Sequence, residues 1–351
     1  MLEKVLAEFG FVGSPEEFGD GHINSTYKIK SKYILQKINT NVFTNPQGVM
    51  ENAFAVTGYI RKQLALHGVD PSRKTIEFVR TAEGDLFYEG EEGVYRLYRY
   101  IDDAFSYTTE KTPAILYEGA KIIGEFQQLL SDFDASRLFT VIPDFHHTPK
   151  RLENLKKAVE RNASGRAANV KDEIEFAYSM KDTASLIIDA IEDGSVPLRV
   201  SHNDTKLNNI LFDKNSGKGL CLIDLDTVMS GSYLYDYGDA LRFGGTYAPE
   251  DSTDLDHVTF DLQLFEAFTK GYLESAGKVL TKREKELLFS SVIIMTYEVG
   301  IRFLADYIDG DVYFKTAYPT HNLDRARNQL TLVKDMLKKQ DAAEAIVKKY
   351  L

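Results

Sequence analysis

Two short stretches carry the residues able to do chemistry. The first is His202-Asn203-Asp204-Thr205-Lys206-Leu207-Asn208-Asn209, set between Val200 and the apolar run Ile210-Leu211-Phe212. The second is Asp224-Leu225-Asp226-Thr227, which follows the apolar run Leu220-Cys221-Leu222-Ile223. A polar centre this dense is costly to bury unless each group finds a partner. Together the stretches read as H-x-D-x-x-x-x-N followed by a strand that delivers an acid. Phosphoryl transfer to a hydroxyl needs this set: a carboxylate at the acceptor oxygen, and an Asn and an Asp to hold Mg²⁺. Asp204 would then be the catalytic carboxylate, and Asn209 and Asp224 the metal ligands. His202, Lys206, Asp226 and Asp236 would support them, with Asp226 also a candidate for a second metal. His-Asn-Asp and Asn-Asn clusters serve in turns as well, where short polar side chains bond nearby backbone. It is both halves, in order and between apolar strands, that point to catalysis.

The bulk properties narrow the partners. At 351 residues the chain is long enough for two lobes with separate cores. Its 43% apolar and 27% charged residues are those of an ordinary globular protein. A net charge of −11 argues against nucleic acid and against an anionic membrane surface, since both select basic patches. A neutral small substrate remains compatible. The single Cys221 excludes an internal disulfide framework and fits a reducing, cytoplasmic setting. The N-terminus shows no signal-peptide pattern, and the most apolar window, residues 287–295, is too short to span a bilayer.

The elements that must position these stretches can be read in order. Residues 2–9 suit a short helix. Phe18 to Ile29 form a turn-rich centre between extended flanks, where Gly19 and Gly21 let backbone approach a phosphate and Asn24 stands where a third glycine would. Residues 32–38 read as a strand with Ile34, Gln36 and Ile38 on one face and Tyr33, Leu35 and Lys37 on the other. Alternation does not say which face meets the nucleotide, so Lys37 and Gln36 compete as the phosphate contact. Residues 46–66 read as a helix, capped by Asn45, opened by Pro46 and stopped by Gly68; its one acid, Glu51, is a possible partner for Lys37. Strands are expected over 75–79, 84–88 and 93–101, and the backbone at Tyr100 and Ile101 would meet adenine at the crossing between lobes. Helical periodicity then dominates, with helices expected over 151–170, 172–191, 261–275, 281–309 and 321–350. The Asp144-Phe145-His146-His147 loop is not a metal-ligand pattern. Residues 1–101 form an N-terminal, nucleotide-covering lobe on this reading, and 102–351 a catalytic, substrate-binding lobe.

With those residues laid out, the chain resembles the aminoglycoside-phosphotransferase and choline-kinase-like small-molecule kinases, and more narrowly the N-acetylhexosamine 1-kinases. The resemblance runs nearly end to end. It is carried by Gly19-Asp20-Gly21-His22-Ile23-Asn24, Tyr33-Ile34-Leu35-Gln36, Phe133-Asp134-Ala135-Ser136, both chemical stretches, Arg302-Phe303-Leu304-Ala305-Asp306-Tyr307 and Gly310-Asp311-Val312-Tyr313-Phe314. It implies an α+β, bilobal protein-kinase-like fold with a small β-rich lobe and a larger helical one. It also implies ATP and Mg²⁺ as cofactors, Asp204 as catalytic carboxylate, and His22, Asp204, Arg302 and Tyr313 as sugar contacts. The product would be an N-acetylhexosamine 1-phosphate, and the sequence does not rank N-acetylglucosamine against N-acetylgalactosamine as acceptor. Gln36 falls where strand phase puts the phosphate-binding lysine of protein kinases, a departure that leaves the phosphate anchor open. An alternative pairing of Arg302 with Glu298, one helical turn earlier, is also open. The rival readings are a kinase for amino-alcohols, methylthioribose or aminoglycosides, and a non-catalytic nucleotide-binding pseudokinase.

Overall fold

The computed structural model describes residues 2–19 and 24–351. In chain order these form α1 (Leu2–Glu8), β1 (Glu16–Glu17), β2 (Ser25–Ile29), β3 (Tyr33–Ile38), α2 (Pro46–Leu66), β4 (Phe78–Val79), β5 (Tyr88–Gly90), β6 (Gly93–Arg99), β7 (Ala104–Phe105), α3 (Pro113–Leu129), α4 (Thr148–Arg161), α5 (Lys171–Ser179), α6 (Lys181–Glu192), β8 (Arg199–Ser201), β9 (Ile210–Asp213), β10 (Gly219–Leu222), β11 (Met229–Gly231), α7 (Tyr233–Gly244), α8 (Leu262–Ala276), α9 (Lys282–Asp309), α10 (His321–Lys338) and α11 (Gln340–Tyr350).

The first hundred residues build an antiparallel sheet in the order β1-β2-β3-β6-β4, with β5 also pairing β6. Its register sorts the two faces. Leu35 opposes Leu97 and Lys37 opposes Tyr95, and this face packs on Val5, Leu6 and Phe9 of the α1 region. Gln36 opposes Arg96 and Ile34 opposes Tyr98 on the other face. Helix α2 forms as its ends predict: the Asn45 side chain accepts from the Gly48 amide at 3.0 Å, Pro46 opens the first turn, and Gly68 takes φ 70° just past its end.

The larger part is helical. The 28-residue α9 runs through its centre against α4, α6, α7 and α10. It is locked at its start by a Thr281–Glu284 capping box and ended by Gly310 at φ 100°. By length and composition α9 could cross a membrane, but most of its apolar window is buried inside the protein, as in a core helix. Helix α7 crosses it closely: a Cβ on Gly238 would lie 2.5 Å from the Ser291 carbonyl oxygen. That approach fixes the height of Asp236 and Asp239, which share the helix with Gly238. A small antiparallel sheet beside a larger helical body is the kinase-like arrangement the sequence predicts.

Several boundaries differ from expectation. The helix expected over 151–170 ends at Arg161, where Asn162 turns into the left-handed region at φ 40°. The one expected over 172–191 breaks at Met180, and the last breaks at Lys339. The strands expected over 75–79 and 84–88 shrink to Phe78–Val79 and Tyr88–Gly90, because only those residues find pairs on β6.

Candidate active site

Two ladders set the two chemical stretches side by side. Strand β8 pairs β11, with Ser201 opposite Met229, and β9 pairs β10, with Ile210 opposite Leu222. The loop 202–209 leaves β8 and enters β9, while the segment 223–228 leaves β10 and enters β11. Each loop is therefore tethered to the other at both ends. Further bonds join them: the Ile223 amide donates to the Asn209 carbonyl at 2.9 Å, the Thr227 hydroxyl to the His202 carbonyl at 2.7 Å, and the Asn203 side-chain amide to the Thr227 carbonyl at 2.9 Å.

Within the first loop, Asn209 Nδ2 donates to Asp204 Oδ2 at 2.9 Å and to the Asp204 carbonyl at 2.8 Å, while Lys206 Nζ pairs with Asp204 Oδ1 at 3.0 Å. The Asp204 carboxylate is thus oriented from both sides and still a quarter exposed. Burial would depress the Lys206 ammonium, but the carboxylates of Asp204 and Asp239 outweigh it and hold its pKa above the ordinary value. His202 is fully buried; Nδ1 accepts the Asp204 amide at 3.3 Å, which leaves Nε2–H to donate to the Ile223 carbonyl at 3.0 Å. Beneath the loop lies Asp236, in the first turn of α7 and fully buried. Its Oδ1 accepts from the Ser201 hydroxyl (2.9 Å) and the Asn203 amide (2.8 Å), and its Oδ2 from the His202 amide and Gln127 Nε2 (both 3.1 Å).

Asp224 is the unbalanced member. Its backbone is left-handed (φ 60°, ψ 63°) and its carboxylate receives no hydrogen bond from any described residue. Its side chain is exposed at the surface, yet protein surrounds it closely on its other sides. That enclosure, then the charges of Asp226 and Asp204, push its pKa up to about 7, against the opposing pull of Arg96 and Lys206. A crowded, unbonded carboxylate beside Asn209, whose Oδ1 has no described partner, suits an oxygen-seeking divalent cation. Among the described residues no three His, Cys, Asp or Glu side chains converge as a cage. Mg²⁺ does not require one, because it takes one or two protein oxygens and completes its shell with phosphates and water.

The other predicted residues divide. Gln36 faces the site and accepts from Arg96 Nε at 2.9 Å and Nη2 at 2.6 Å. Lys37 does not: the register puts it on the opposite face, its Nζ 5.6 Å from the Tyr95 ring centre. Glu51 is bonded by Gln47 within α2, and the possible pairing with Lys37, weaker on sequence grounds than a plain surface role, does not form among the described residues. Both Asp226 oxygens are already engaged, Oδ1 by Arg96 and Oδ2 by Asn24 Nδ2 at 2.6 Å, an arrangement that holds the fold together and gives no support to a second metal there. At the crossing, the Tyr100 amide donates to the Lys32 carbonyl at 2.9 Å, its ring lies 3.8 Å beneath Lys28 Nζ, and Ile101 is buried. Gly21 and His22 lie outside the described residues.

Arg302 is linked to the 202–209 loop through Phe145 and His146. His146 Nε2 lies 3.2 Å from the Asn203 carbonyl, Phe145 precedes His146, and the Arg302 guanidinium sits 5.8 Å from the Phe145 ring centre and 5.6 Å from that of Phe314. No hydrogen bond or close ion pair joins it to Glu298, whose two oxygens are taken by His146 Nδ1 at 3.0 Å and the Thr148 hydroxyl at 2.7 Å, although the guanidinium charge still acts on that carboxylate. Tyr313 stacks edge-on against Phe314 at 4.7 Å and remains 71% exposed. Its loop is pinned by the Asp306 carboxylate, which accepts the amides of Val312, Tyr313 and Phe314 at 2.8–2.9 Å. A separate cavity of about 330 Å³ lies behind β10, lined mainly by apolar groups such as Ile60, Ile122, Phe126 and Leu225. Cys221 lines it too, and burial pushes that thiol up to about 12, so it is inert.

Sequence reasoning missed Arg96, Gln127, His146 and Asp306. A charged residue amid the apolar β6 was the one legible signal for Arg96. Gln127 is set by partners more than a hundred residues away, His146 by Glu298 152 residues on and the Asn203 carbonyl 57 residues on, and Asp306 by backbone amides.

A sequence profile described as the phosphotransferase enzyme family matches residues 14–274. Among solved structures, a microcompartment-associated aminopropanol kinase is 15% identical with a TM-score of 0.66, covering 98% of each chain. A spectinomycin phosphotransferase in complex with ADP and spectinomycin is 14% identical, TM-score 0.57, covering 97% of each chain. The choline kinase LicA of Streptococcus pneumoniae is 15% identical, TM-score 0.56, covering 96% of this chain and 98% of that one.

Proposed function

Since the chain belongs to the phosphotransferase enzyme family, we propose that it is a MgATP-dependent small-molecule kinase whose acceptor is the anomeric hydroxyl of an N-acetylhexosamine. The observation that carries the chemistry is the grouping of Asp204, Asn209 and Asp224 on two tethered loops, with Asp204 held by two donors and Asp224 receiving no hydrogen bond from a described residue. Asn209 and Asp224 would hold the cation, which when bound offsets the charge of the transferring phosphates. Asp204 orients the acceptor hydroxyl and takes its proton as that oxygen bonds to the γ-phosphorus and the bond to ADP breaks. Lys206 and Asn209 fix the carboxylate for that task and keep it from turning away. Residues 1–101 would cover the nucleotide, approached by the backbone of Tyr100 and Ile101, and 102–351 would bind the acceptor, while the polar ends of Gln36 and Asn24 are taken by Arg96, Thr26, Asp226 and Asn39. The spectinomycin phosphotransferase complex with ADP is consistent with a nucleotide in this fold.

The acceptor reading rests on charge. An amino-alcohol or aminoglycoside is cationic and wants an acidic or aromatic cage. Here the aromatic faces of Phe145 and Phe314 already carry the Arg302 guanidinium, and the nearby Glu298 is spent on His146 and Thr148. A neutral sugar, with hydroxyls and an acetamide oxygen for Arg302 and Tyr313, fits that surface better. The test is ADP release across N-acetylglucosamine, N-acetylgalactosamine, choline, 1-amino-2-propanol and an aminoglycoside, followed by a reducing-end assay. Turnover with an N-acetylhexosamine and loss of reducing ends is expected, because a 1-phosphate is no longer a reducing sugar. Turnover confined to the amines would overturn the acceptor, and a sugar product that still reduces would overturn the position.

A further inference from the structure

The ion pair between Arg96 and Asp226 joins the sheet to the segment that carries Asp224. Arg96 is 2% exposed, and its fork is fully committed: Nε and Nη2 donate to Gln36 Oε1, Nη1 pairs with Asp226 Oδ1, and Met50 Sδ lies 3.9 Å from Nη1. Asn24 completes the arrangement from the hairpin side, giving its Nδ2 to Asp226 Oδ2 at 2.6 Å while its Oδ1 accepts the Asn39 amide at 2.9 Å. The sheet lobe therefore grips one buried carboxylate from two sides, with Gln36 steadying the arginine.

We infer that Arg96 is a positioning residue for the nucleotide's divalent cation: through Asp226, and with Gln36 and Asn24, it holds the Asp224 turn in the geometry that binds metal. The inference rests on Asp224 as a metal ligand. Asp224 is a non-glycine residue at φ 60°, a conformation that persists only where the surroundings over-determine it. On one side the catalytic loop supplies that restraint, through His202, Asn203 and Thr227. On the other side the Asp226 side chain supplies it, together with Asn52 Nδ2 on the Val228 carbonyl at 2.9 Å. With both oxygens of Asp226 taken, the residue acts on metal through its neighbour. Arg96 is too enclosed to reach phosphates and is shaped for two acceptors at once, which a lysine is not.

The experiment is calorimetric binding of ADP to the full chain with and without Mn²⁺, with free Mn²⁺ followed by electron paramagnetic resonance. Wild type should bind ADP more tightly with Mn²⁺. In Arg96→Met and Arg96→Lys that gain should shrink by about tenfold or more, the range for residues that orient metal ligands, while metal-free ADP affinity changes little. Arg96→Met leaves a buried carboxylate without its partner, so Arg96→Met/Asp226→Leu separates that penalty from positioning. The double variant should recover the unfolding midpoint but not the Mn²⁺ effect. An undiminished or stronger Mn²⁺ effect in Arg96→Met, as when a freed Asp226 binds metal itself, overturns the inference. So does a double variant that regains both stability and the Mn²⁺ effect. A wild-type protein indifferent to Mn²⁺ overturns the metal reading of Asp224 and this inference with it. If Arg96→Met does not fold, Arg96→Lys and the double variant separate the same outcomes.

Discussion

Replacing Asp236 with Asn tests whether one buried carboxylate holds the catalytic loop in place. The side chain accepts four hydrogen bonds, two per oxygen, from Ser201, Asn203, His202 and Gln127. An Asn amide of the same shape can satisfy only one of those pairs, because its NH₂ must face the other. If it faces Ser201 and Asn203, the hydroxyl can rotate to accept, but the Asn203 amide is stranded. If it faces His202 and Gln127, the Gln127 amide cannot simply flip, because its Oε1 accepts the Tyr272 hydroxyl at 2.6 Å. Either way at least one buried backbone N–H loses its acceptor and the remaining bonds lose their charge assistance. At about 1–3 kcal/mol for an unsatisfied buried group, plus about 1 kcal/mol for the weakened bonds, the expected loss is about 2–4 kcal/mol. The His202 and Asn203 amides immediately precede Asp204, so the loop should shift and kcat should fall by about 10- to 100-fold, as a misplacement near 1 Å does. Urea unfolding followed by far-ultraviolet circular dichroism reads the first quantity, and coupled ADP release at saturating substrates reads the second. A variant within about 0.5 kcal/mol of wild type, with undiminished kcat, would refute the idea that Asp236 clamps the loop.

Three further outcomes are expected. Asp204→Asn removes the proton acceptor and sets an NH₂ against either Lys206 or Asn209, so kcat should drop by about two to four orders of magnitude while calorimetry shows ADP still bound; a tenth of wild-type turnover would be too much for this role. Arg302→Ala should reduce kcat/KM for the sugar by about 1–3 kcal/mol of transition-state binding with KM for ATP nearly unchanged, and an equal rise in both KM values would remove Arg302 from the acceptor site. Asp224 is protonated below its raised pKa of about 7 and a carboxylate above it, so the metal-free protein loses this group's contribution to stability as pH rises toward 7, and Mg²⁺, which must displace the proton, should raise the unfolding temperature more at pH 8 than at pH 6. A Mg²⁺ effect that ignores pH across that interval would count against Asp224 as the ligand.

How much of this was legible in the sequence depends on how local each cause is. The catalytic loop could be read because its polar residues sit at fixed spacing between apolar strands, and α2 because Asn45, Pro46 and Gly68 mark both ends within the segment itself. The breaks at Met180 and Lys339 have no glycine or proline to announce them, so a helical pattern reads straight through. Local cause runs out most sharply at the phosphate contact. Alternation in β3 separates Gln36 from Lys37, yet it cannot say which face turns to the site, because that depends on what covers each face. The answer comes from β6 and α1: Tyr95 and Leu97 join Leu35 under the first helix and carry Lys37 with them, which turns Gln36 toward Arg96 and Asp226. A buried arginine demands a carboxylate, so Arg96 could be flagged from its apolar strand, but its partner lies 130 residues away, and several other acids between residues 200 and 240 meet the same demand on paper. Only pairing of β8 with β11 and of β9 with β10 brings Asp226 rather than Asp224 to that guanidinium. The choice between them separates an acid spent on holding the fold together from one left free for a cation.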